Sequence, residues 1–100
     1  MMSVREIPGV EKPVVRYALA RGWKLGWKLR IDGRNGSPDR WFLRNGVWLV
    51  IEFKRPGGKL RPQQVLRIKE LRENGQPVHV IDNADVGRAL IDSFDQEDLL

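Results

Sequence analysis

The sequence contains no cysteine and only one histidine, His79. Without cysteine there are no disulfide bonds, thiolate nucleophiles, iron–sulfur clusters or cysteine-ligated zinc sites, and a reducing compartment is indicated. There is no second histidine to share a metal ion with His79, and nothing supports a Ser-His-Asp triad. His79 lies within an apolar segment, so we interpret it as structural.

Long apolar runs are also missing. The longest covers residues 47–51, far short of the roughly 20 residues that span a bilayer. Residues 1–30 lack the layout of a signal peptide. The chain of 100 residues is 41% hydrophobic, which suffices for one core. We therefore expect a single soluble, intracellular domain over residues 1–100, with no membrane contact.

Acidic residues are scarce in the body of the chain. Residues 12–72 contain 16 basic and four acidic residues, an excess of +12, whereas every charge after Arg88 is acidic. A basic body favours polyanions such as nucleic acids, and ordinary solubility charge is the alternative. The acidic tail over residues 92–100 has three open interpretations: a disordered end, a mimic of DNA that shields a groove, or a contact between subunits.

The apolar pattern predicts elements in the order α-β-β-β-α-β-α, a mixed α/β sheet domain. After an irregular lead-in over residues 1–9, a helix is predicted over residues 11–21. Its apolar stripe comprises Val14, Val15, Ala18 and Leu19. Strict alternation then predicts a strand over residues 23–31. Its buried face comprises Trp23, Leu25, Trp27, Leu29 and Ile31.

Asn45-Gly46 is the strongest signal for a two-residue hairpin in the sequence. It joins predicted strands over residues 39–44 and 47–55. A helix follows over residues 62–74, then a strand over 78–81 and a peripheral last helix capped by Asp82 or Asn83. The apolar stripe of the middle helix comprises Val65, Leu66, Ile68 and Leu71.

The hairpin register gathers charged side chains on one face of the sheet. A two-residue loop places Asp39 opposite Glu52, and Lys54 follows two residues later on the same face. Opposed carboxylates are destabilising unless a cation lies between them, and Mg²⁺ is commonly held by one or two carboxylates with water and phosphate. Such an ion activates water and polarises a phosphodiester, and a lysine can position that water. A plain salt bridge of Lys54 with both acids is the alternative.

Ser37-Pro38-Asp39 followed by Glu52-Phe53-Lys54 resembles the signature of PD-(D/E)xK nucleases, whose core order is α-β-β-β-α-β. More specifically, residues 10–85 resemble the stand-alone form of the VRR-NUC (virus-type replication-repair nuclease) domain. The segments that carry this resemblance are Glu11, Lys28-Leu29, Gly33, residues 36–40, residues 51–54, residues 57–64 and residues 71–75. The resemblance implies a restriction-endonuclease-like core with a mixed sheet and, here, a C-terminal helix.

The same resemblance implies an endonuclease that cleaves DNA with Mg²⁺ or Mn²⁺ and needs no organic cofactor. Asp39, Glu52 and the backbone carbonyl of Phe53 would be metal ligands, and Lys54 the catalytic lysine. Glu11 would be an additional acid and ligand from the first helix. Gln64 would orient water, the lysine or a phosphate.

Stand-alone relatives imply a homodimer that prefers branched DNA such as four-way (Holliday) junctions, in the cytoplasm of a bacterium or a phage-infected cell. Duplex DNA remains a possible substrate. Contacts to the DNA backbone are expected from Lys24, Lys28, Arg30, Arg34 and Arg40, and from Lys59 and Arg61 in a basic loop. Trp41 and Trp48 lie on the carboxylate face, which makes them candidates for base stacking, although core packing is the commoner role. A non-catalytic nucleic-acid-binding module and an RNase with the same site stay open as alternatives.

Overall fold

The computed structural model describes residues 2–29 and 36–97, and the predicted element order is confirmed. No helix in these ranges is both long and apolar enough to cross a membrane. The elements are α1 (Met2–Ala20), β1 (Lys24–Trp27), β2 (Arg40–Arg44), β3 (Val47–Phe53), α2 (Pro62–Glu73), β4 (Val78–Ile81) and α3 (Ala84–Glu97).

The four strands form one mixed sheet in the order β1-β2-β3-β4, in which only the β3–β4 pair is parallel. The two faces of β3 enter different cores. Leu49 and Ile51 pack in a core with α1 and α3 residues, whereas Val50 packs with Ile68 of α2. One face of β3 therefore packs toward α1 and α3, and its other face is covered by α2.

The hairpin follows the predicted register. Asn45 and Gly46 have φ angles of 50° and 78°, as a tight two-residue turn requires. The ladder runs from Arg44 opposite Val47 to Arg40 opposite Ile51. The next step along this register brings Asp39 to Glu52, at the end of β2 and β3 where the candidate site lies.

The predicted start of α1 at residue 11 is wrong, because the helix continues toward the N-terminus through Pro8 and Gly9 to Met2. Val10, Val14 and Ala18 are buried at four-residue spacing, so the stripe that holds α1 on the sheet begins before the predicted start. The Pro8-Gly9 pair therefore does not end the helix, and the buried stripe begins directly after it at Val10. Leu19, predicted to be on the stripe, is exposed.

The alternating pattern over residues 23–31 does not give the predicted strand. β1 covers only Lys24–Trp27, and its pairing with β2 has an irregularity at which three residue steps on β1 match two on β2. Leu25 and Gly26 both have positive φ angles there, and Gly26 packs against Phe42. Because the bulge rotates the chain, Trp27 is 50% exposed and the predicted buried face is lost after Trp23. Leu25 and Leu29 are exposed as well, and Ile31 lies outside the described residues.

The predicted apolar stripe of α2 is partly wrong. Val65 and Leu66 are 50% and 49% exposed, whereas Gln64 and Ile68 are buried. Gln64 points inward because its side-chain amide forms hydrogen bonds with Glu52 and Lys54.

α3 is an integral part of the core rather than peripheral. Asn83 caps it by accepting a hydrogen bond from the backbone N–H of Val86 at 3.1 Å, as predicted. Phe94 packs edge to face on Trp23, with ring centroids 5.1 Å apart.

Ion pairs also hold α3 in place. Asp92 accepts from Arg21 at 2.8 Å, and Asp95 pairs with Arg44 at 2.9 Å. Asp92 and Asp95, two acids of the predicted tail, are therefore paired within the fold. Residues 98–100 of that tail lie outside the described residues.

Candidate active site

A cleft of about 330 Å³ opens where β2 and β3 end beside the N-terminus of α2. It brings together every residue that the sequence analysis singled out for catalysis or metal binding, although these residues come from four separate parts of the chain. Its lining consists of Glu11, Lys28, Leu29, Ser37, Pro38, Asp39, Glu52, Phe53, Lys54, Arg61 and Gln64.

Glu52 is the buried acid of the cleft, with only 2% of its surface exposed. Its Oε2 accepts a hydrogen bond of 2.7 Å from the side-chain amide of Gln64, whereas its buried Oε1 has no hydrogen-bond partner within residues 2–29 and 36–97. Burial, reinforced by the nearby charge of Asp39, raises the pKa of Glu52 to about 7. A buried acceptor without a donor is costly, so Glu52 favours either a proton or a cation at Oε1.

Asp39 lies beside Glu52, just before β2. Its Oδ2 accepts the backbone N–H of Phe53 at 2.8 Å, which ties the two strand ends together. Burial raises the pKa of Asp39, and the hydrogen bond from Phe53 opposes this shift by stabilising the carboxylate. Two neighbouring carboxyl groups that both resist ionisation are the electrostatic signature expected of a cation site.

Gln64 connects the acid to the lysine. Its Oε1 accepts a hydrogen bond of 2.9 Å from the Nζ of Lys54 and another of 2.8 Å from the backbone N–H of Arg61, at the N-terminus of α2. The Lys54 ammonium lies 3.9 Å from Oε2 of Glu52. Beyond the end of β3, the backbone N–H of Lys54 donates to the carbonyl of Ile81 at 2.9 Å, which keeps this residue in line with the sheet.

The segment before Asp39 is pressed against α2. Gly36 has a φ of 90°, and a Cβ at this position would overlap the backbone carbonyl of Gln63. Only glycine fits both constraints. The sequence analysis did not assign this role, although the glycine that opens Gly36-Ser37-Pro38-Asp39 is its signal. Ser37 lines the cleft with a buried hydroxyl that has no hydrogen-bond partner.

Glu11 reaches the cleft from α1 as predicted, but it is paired with a cation. Its Oε2 accepts a hydrogen bond of 2.6 Å from Nε of Arg40, and Lys28 lies 4.0 Å away. Arg40 also donates to the carbonyl of Gly26 at 2.8 Å. The guanidinium predicted to contact DNA is thus engaged with Glu11 inside the fold, a pairing that the sequence analysis missed.

Of the remaining predicted DNA contacts, two line the cleft, two are exposed elsewhere and two lie outside the described residues. Lys28 and Arg61 are exposed and line the cleft, and Lys24 and Lys59 are exposed elsewhere. Arg30 and Arg34 fall outside the described residues.

The predicted base-stacking tryptophans are only partly accessible. Trp41 and Trp48 are half-buried and pack edge to face, with ring centroids 6.0 Å apart. Both contribute to the core beneath α2, as their apolar neighbours predicted.

The donor set of the cleft fits a hard divalent cation. Within residues 2–29 and 36–97, no three or more acidic or histidine side chains converge into a metal centre built from protein ligands alone. Asp39 and Glu52 instead form a pair of carboxylates that can ligate a metal ion. The Oε1 of Glu52 has no hydrogen-bond partner among the described residues. Mg²⁺ and Mn²⁺ prefer oxygen ligands, and Mg²⁺ is commonly bound through one or two carboxylates completed by water and phosphate.

Comparisons with known proteins agree with this geometry. No family model matches the sequence. A solved structure described as a VRR_NUC domain superposes with a TM-score of 0.80 and 29% sequence identity, over 87% of this chain and 95% of that one. A phage protein from Acyrthosiphon pisum secondary endosymbiont phage 1, named "Putative nuclease p44", is 34% identical over 91 residues, or 90% of this chain and 96% of the phage protein.

The chain belongs to the VRR-NUC nuclease family. Its mixed four-stranded sheet with flanking helices is the restriction-endonuclease-like core predicted from the sequence, with α3 as the C-terminal addition. In this VRR-NUC domain the cleft at the ends of β2 and β3 holds both predicted acids and the predicted lysine.

Proposed function

We propose that this VRR-NUC domain is a metal-dependent endonuclease that hydrolyses phosphodiester bonds of DNA, with Asp39, Glu52 and Lys54 at its centre. The observation that carries the proposal is the Oε1 of the buried Glu52, next to Asp39, which has no hydrogen-bond partner among the residues that the structure describes. A module that only binds nucleic acid gains nothing from two carboxylates that face phosphates, whereas a metal-dependent nuclease needs them.

Asp39, Glu52 and the backbone carbonyl of Phe53 would hold Mg²⁺ or Mn²⁺. When bound, the ion lowers the pKa of a coordinated water and offsets charge on the phosphodiester. The chain prepares this site by keeping the ligands rigid: Asp39 is fixed by the N–H of Phe53, and Glu52 by the amide of Gln64. Each of these hydrogen bonds leaves the second carboxylate oxygen of its acid for another partner.

Lys54 supplies the positive charge of the chain itself. Its ammonium donates a hydrogen bond to Gln64, and Lys54 is one of the residues that line the cleft. There it would orient the attacking water and stabilise the charge that develops on the phosphate. Gln64 acts through Lys54 and Glu52 and is therefore a positioning residue. Glu11 would serve the site as an additional acid whose charge Arg40 balances.

The substrate would be branched DNA, such as a four-way junction. The enzyme would cut it as a homodimer, in the cytoplasm of a bacterium or phage-infected cell. Exposed Lys28 and Arg61 at the mouth of the cleft provide contacts to the phosphate backbone that do not read sequence. A two-fold dimer would present two clefts to a two-fold junction.

A cleavage assay tests this proposal. Labelled single-stranded, duplex and four-way-junction DNA, and a matched RNA duplex, would be incubated with wild type in Mg²⁺, Mn²⁺ or EDTA. We expect cutting in either metal, none in EDTA, and faster cutting of the junction than of the duplex. Lys54→Ala should lose cleavage and retain binding to DNA. Lys69→Ala, which removes an exposed lysine from α2 away from the cleft, is the matched control and should cut normally.

Binding of DNA without cleavage in either metal would favour the non-catalytic module. Cleavage of RNA alone would favour the RNase. Sedimentation as a strict monomer at assay concentrations would remove the paired-site part of the proposal.

A further inference from the structure

A second cavity, of about 440 Å³, adjoins the catalytic cleft on the side of β2 and α2. Ser37 and Pro38 line both spaces, so one short segment of chain separates them. Trp41 forms the wall that belongs to β2, and α2 contributes the opposite wall. The residues that line it from α2 and its C-cap are Arg67, Glu70, Leu71 and Asn74.

The chemistry of this cavity suits a planar, largely apolar group with a polar edge. The indole of Trp41, the ring of Pro38 and the side chain of Leu71 make most of its surface apolar. Two buried polar atoms of lining residues, the Nε1 of Trp41 and the Oγ of Ser37, have no hydrogen-bond partner in the part of the chain that the structure describes. Ligand pockets typically combine apolar walls with a few polar groups in this way.

The position of the cavity indicates which group would enter it. Trp41 is the second residue of β2, and Asp39 lies just before that strand, so two residue steps of nearly extended chain, roughly 7 Å, separate them. A group in the cavity would therefore be the immediate neighbour of a phosphodiester held at Asp39 and Glu52. In a nucleic acid, the planar group next to a phosphate is a nucleobase.

We propose that this cavity holds an unpaired nucleobase of the substrate, adjacent to the phosphodiester that is cleaved. The proposal rests on the nuclease function proposed above and adds a substrate class to it: nucleic acid with a base displaced from its stack. Stacking on an aromatic side chain is tolerant of base identity, so the site would select an unpaired base rather than a sequence. The lost stacking within the duplex is smallest for a base that is already unpaired.

Asn74 offers a way to close the cavity without disturbing the core. It is the exposed C-cap residue of α2 and one of the residues that line the cavity. Asn74→Trp would fill the space with a large ring, whereas Asn74→Ala would remove the amide and leave the space open. This pair is preferable to Trp41→Ala, because Trp41 packs in the core beneath α2 and its loss can unfold the protein.

The experiment compares two duplexes with one extrahelical nucleotide, either 2-aminopurine or an abasic residue. In separate substrates, that nucleotide stands on one side or on the other side of the phosphodiester that wild type cuts in Mg²⁺. Binding is measured with Ca²⁺ in place of Mg²⁺. We expect wild type to bind the 2-aminopurine duplex about ten-fold more tightly than the abasic one, with a fall in 2-aminopurine fluorescence as the base stacks. Asn74→Ala should keep this ratio, and Asn74→Trp should bring it close to one while keeping the circular dichroism spectrum of the folded wild type.

Equal binding of the two duplexes by wild type, with cleavage intact, would overturn the base site and leave the nuclease function standing. A ratio that Asn74→Trp does not change would also overturn it. Absence of cleavage and of DNA binding in wild type would instead overturn the proposed function, and the base site with it.

Discussion

Gln64 donates a hydrogen bond of 2.7 Å to Oε2 of Glu52, while the ammonium of Lys54 lies 3.9 Å from the same oxygen. A neutral amide, rather than the lysine, therefore satisfies this carboxylate oxygen at short range. The lysine is bound to the other end of the same amide, at 2.9 Å. Gln64 thus holds both Glu52 and Lys54 in place, and the two charged groups make no direct hydrogen bond at 3.9 Å.

Replacing Gln64 should affect both stability and turnover. Gln64→Ala leaves Oε2 of the buried Glu52 without its donor and releases Lys54, so the free energy of unfolding should fall by about 1–3 kcal/mol. We expect kcat for DNA cleavage to fall by roughly one to two orders of magnitude with little change in KM, because Gln64 positions groups that act in the transition state. Urea denaturation and steady-state kinetics measure the two effects.

Gln63→Ala is the matched control for this substitution. Gln63 is the exposed neighbour of Gln64 on the same turn of α2, so its variant has the same helix propensity change without loss of the buried contacts. Equal stability and equal kcat in the two variants would contradict the role assigned to Gln64.

The raised pKa of Glu52 makes the stability of the metal-free protein depend on pH. The pKa is about 7 in the folded protein and 4.5 for the unperturbed group, so between these values the folded state binds more protons than the unfolded state. Stability should therefore be highest below about pH 4.5 as far as this group is concerned, and should fall by up to about 3 kcal/mol as the pH rises through 7. Urea denaturation in EDTA between pH 5 and pH 8 measures this slope.

Glu52→Gln should flatten that slope, because its amide does not titrate. The residual slope would come from Asp39, whose pKa burial raises in the same direction, and from His79, whose pKa burial lowers so that its contribution has the opposite sign. Addition of Mn²⁺ at pH 8 should stabilise wild type more than Glu52→Gln, since metal binding needs the ionised carboxylate. A wild-type protein that becomes more stable from pH 5 to pH 8 in EDTA would contradict the electrostatic account of the cleft.

The packing of α3 on α1 predicts opposite effects of the same substitution at two glycines. A Cβ at Gly87 would lie 2.5 Å from a methyl group of Val14, whereas a Cβ at Gly9 would meet nothing within 4 Å. Gly87→Ala should therefore lower the free energy of unfolding by roughly 1–3 kcal/mol through overpacking. Gly9→Ala should be neutral or stabilise by up to about 1 kcal/mol through helix propensity.

Chemical denaturation of both variants beside wild type checks this pair. A Gly87→Ala protein as stable as wild type would show that α3 can move away from α1 at little cost, and that it is as peripheral as its sequence first suggested.

The hairpin could be predicted from sequence because its information is local. Asn45-Gly46 fixes the turn, the turn fixes the register, and the register brings Asp39 toward Glu52 with Lys54 on the same side. The same logic failed for β1, because the alternation of Trp27 with its neighbours carries no sign of the bulge that rotates the strand.

The contacts that organise the cleft could not be predicted from residue patterns without the family resemblance, because they join residues far apart in the chain. The pairing of Glu11 with Arg40 depends on how α1 crosses the sheet. The inward position of Gln64 depends on the acid that it meets on β3, and no periodicity of α2 indicates it. Sequence patterns thus predicted residues that share one cleft, whereas tertiary packing decides which of them are hydrogen-bond partners.

The most direct test of the central claim is single-turnover cleavage of junction DNA by Asp39→Asn, wild type and Asp85→Asn in Mg²⁺ and in EDTA. Asp85 is an exposed aspartate paired with Arg88 on α3, so Asp85→Asn makes the same chemical change outside the cleft. We predict that wild type and Asp85→Asn cut at the same rate in Mg²⁺ and not in EDTA, and that Asp39→Asn is slower by a factor of about 100 or more. Cleavage by Asp39→Asn at the wild-type rate, or cleavage by wild type in EDTA, would contradict the assignment of this cleft as a metal-dependent nuclease site.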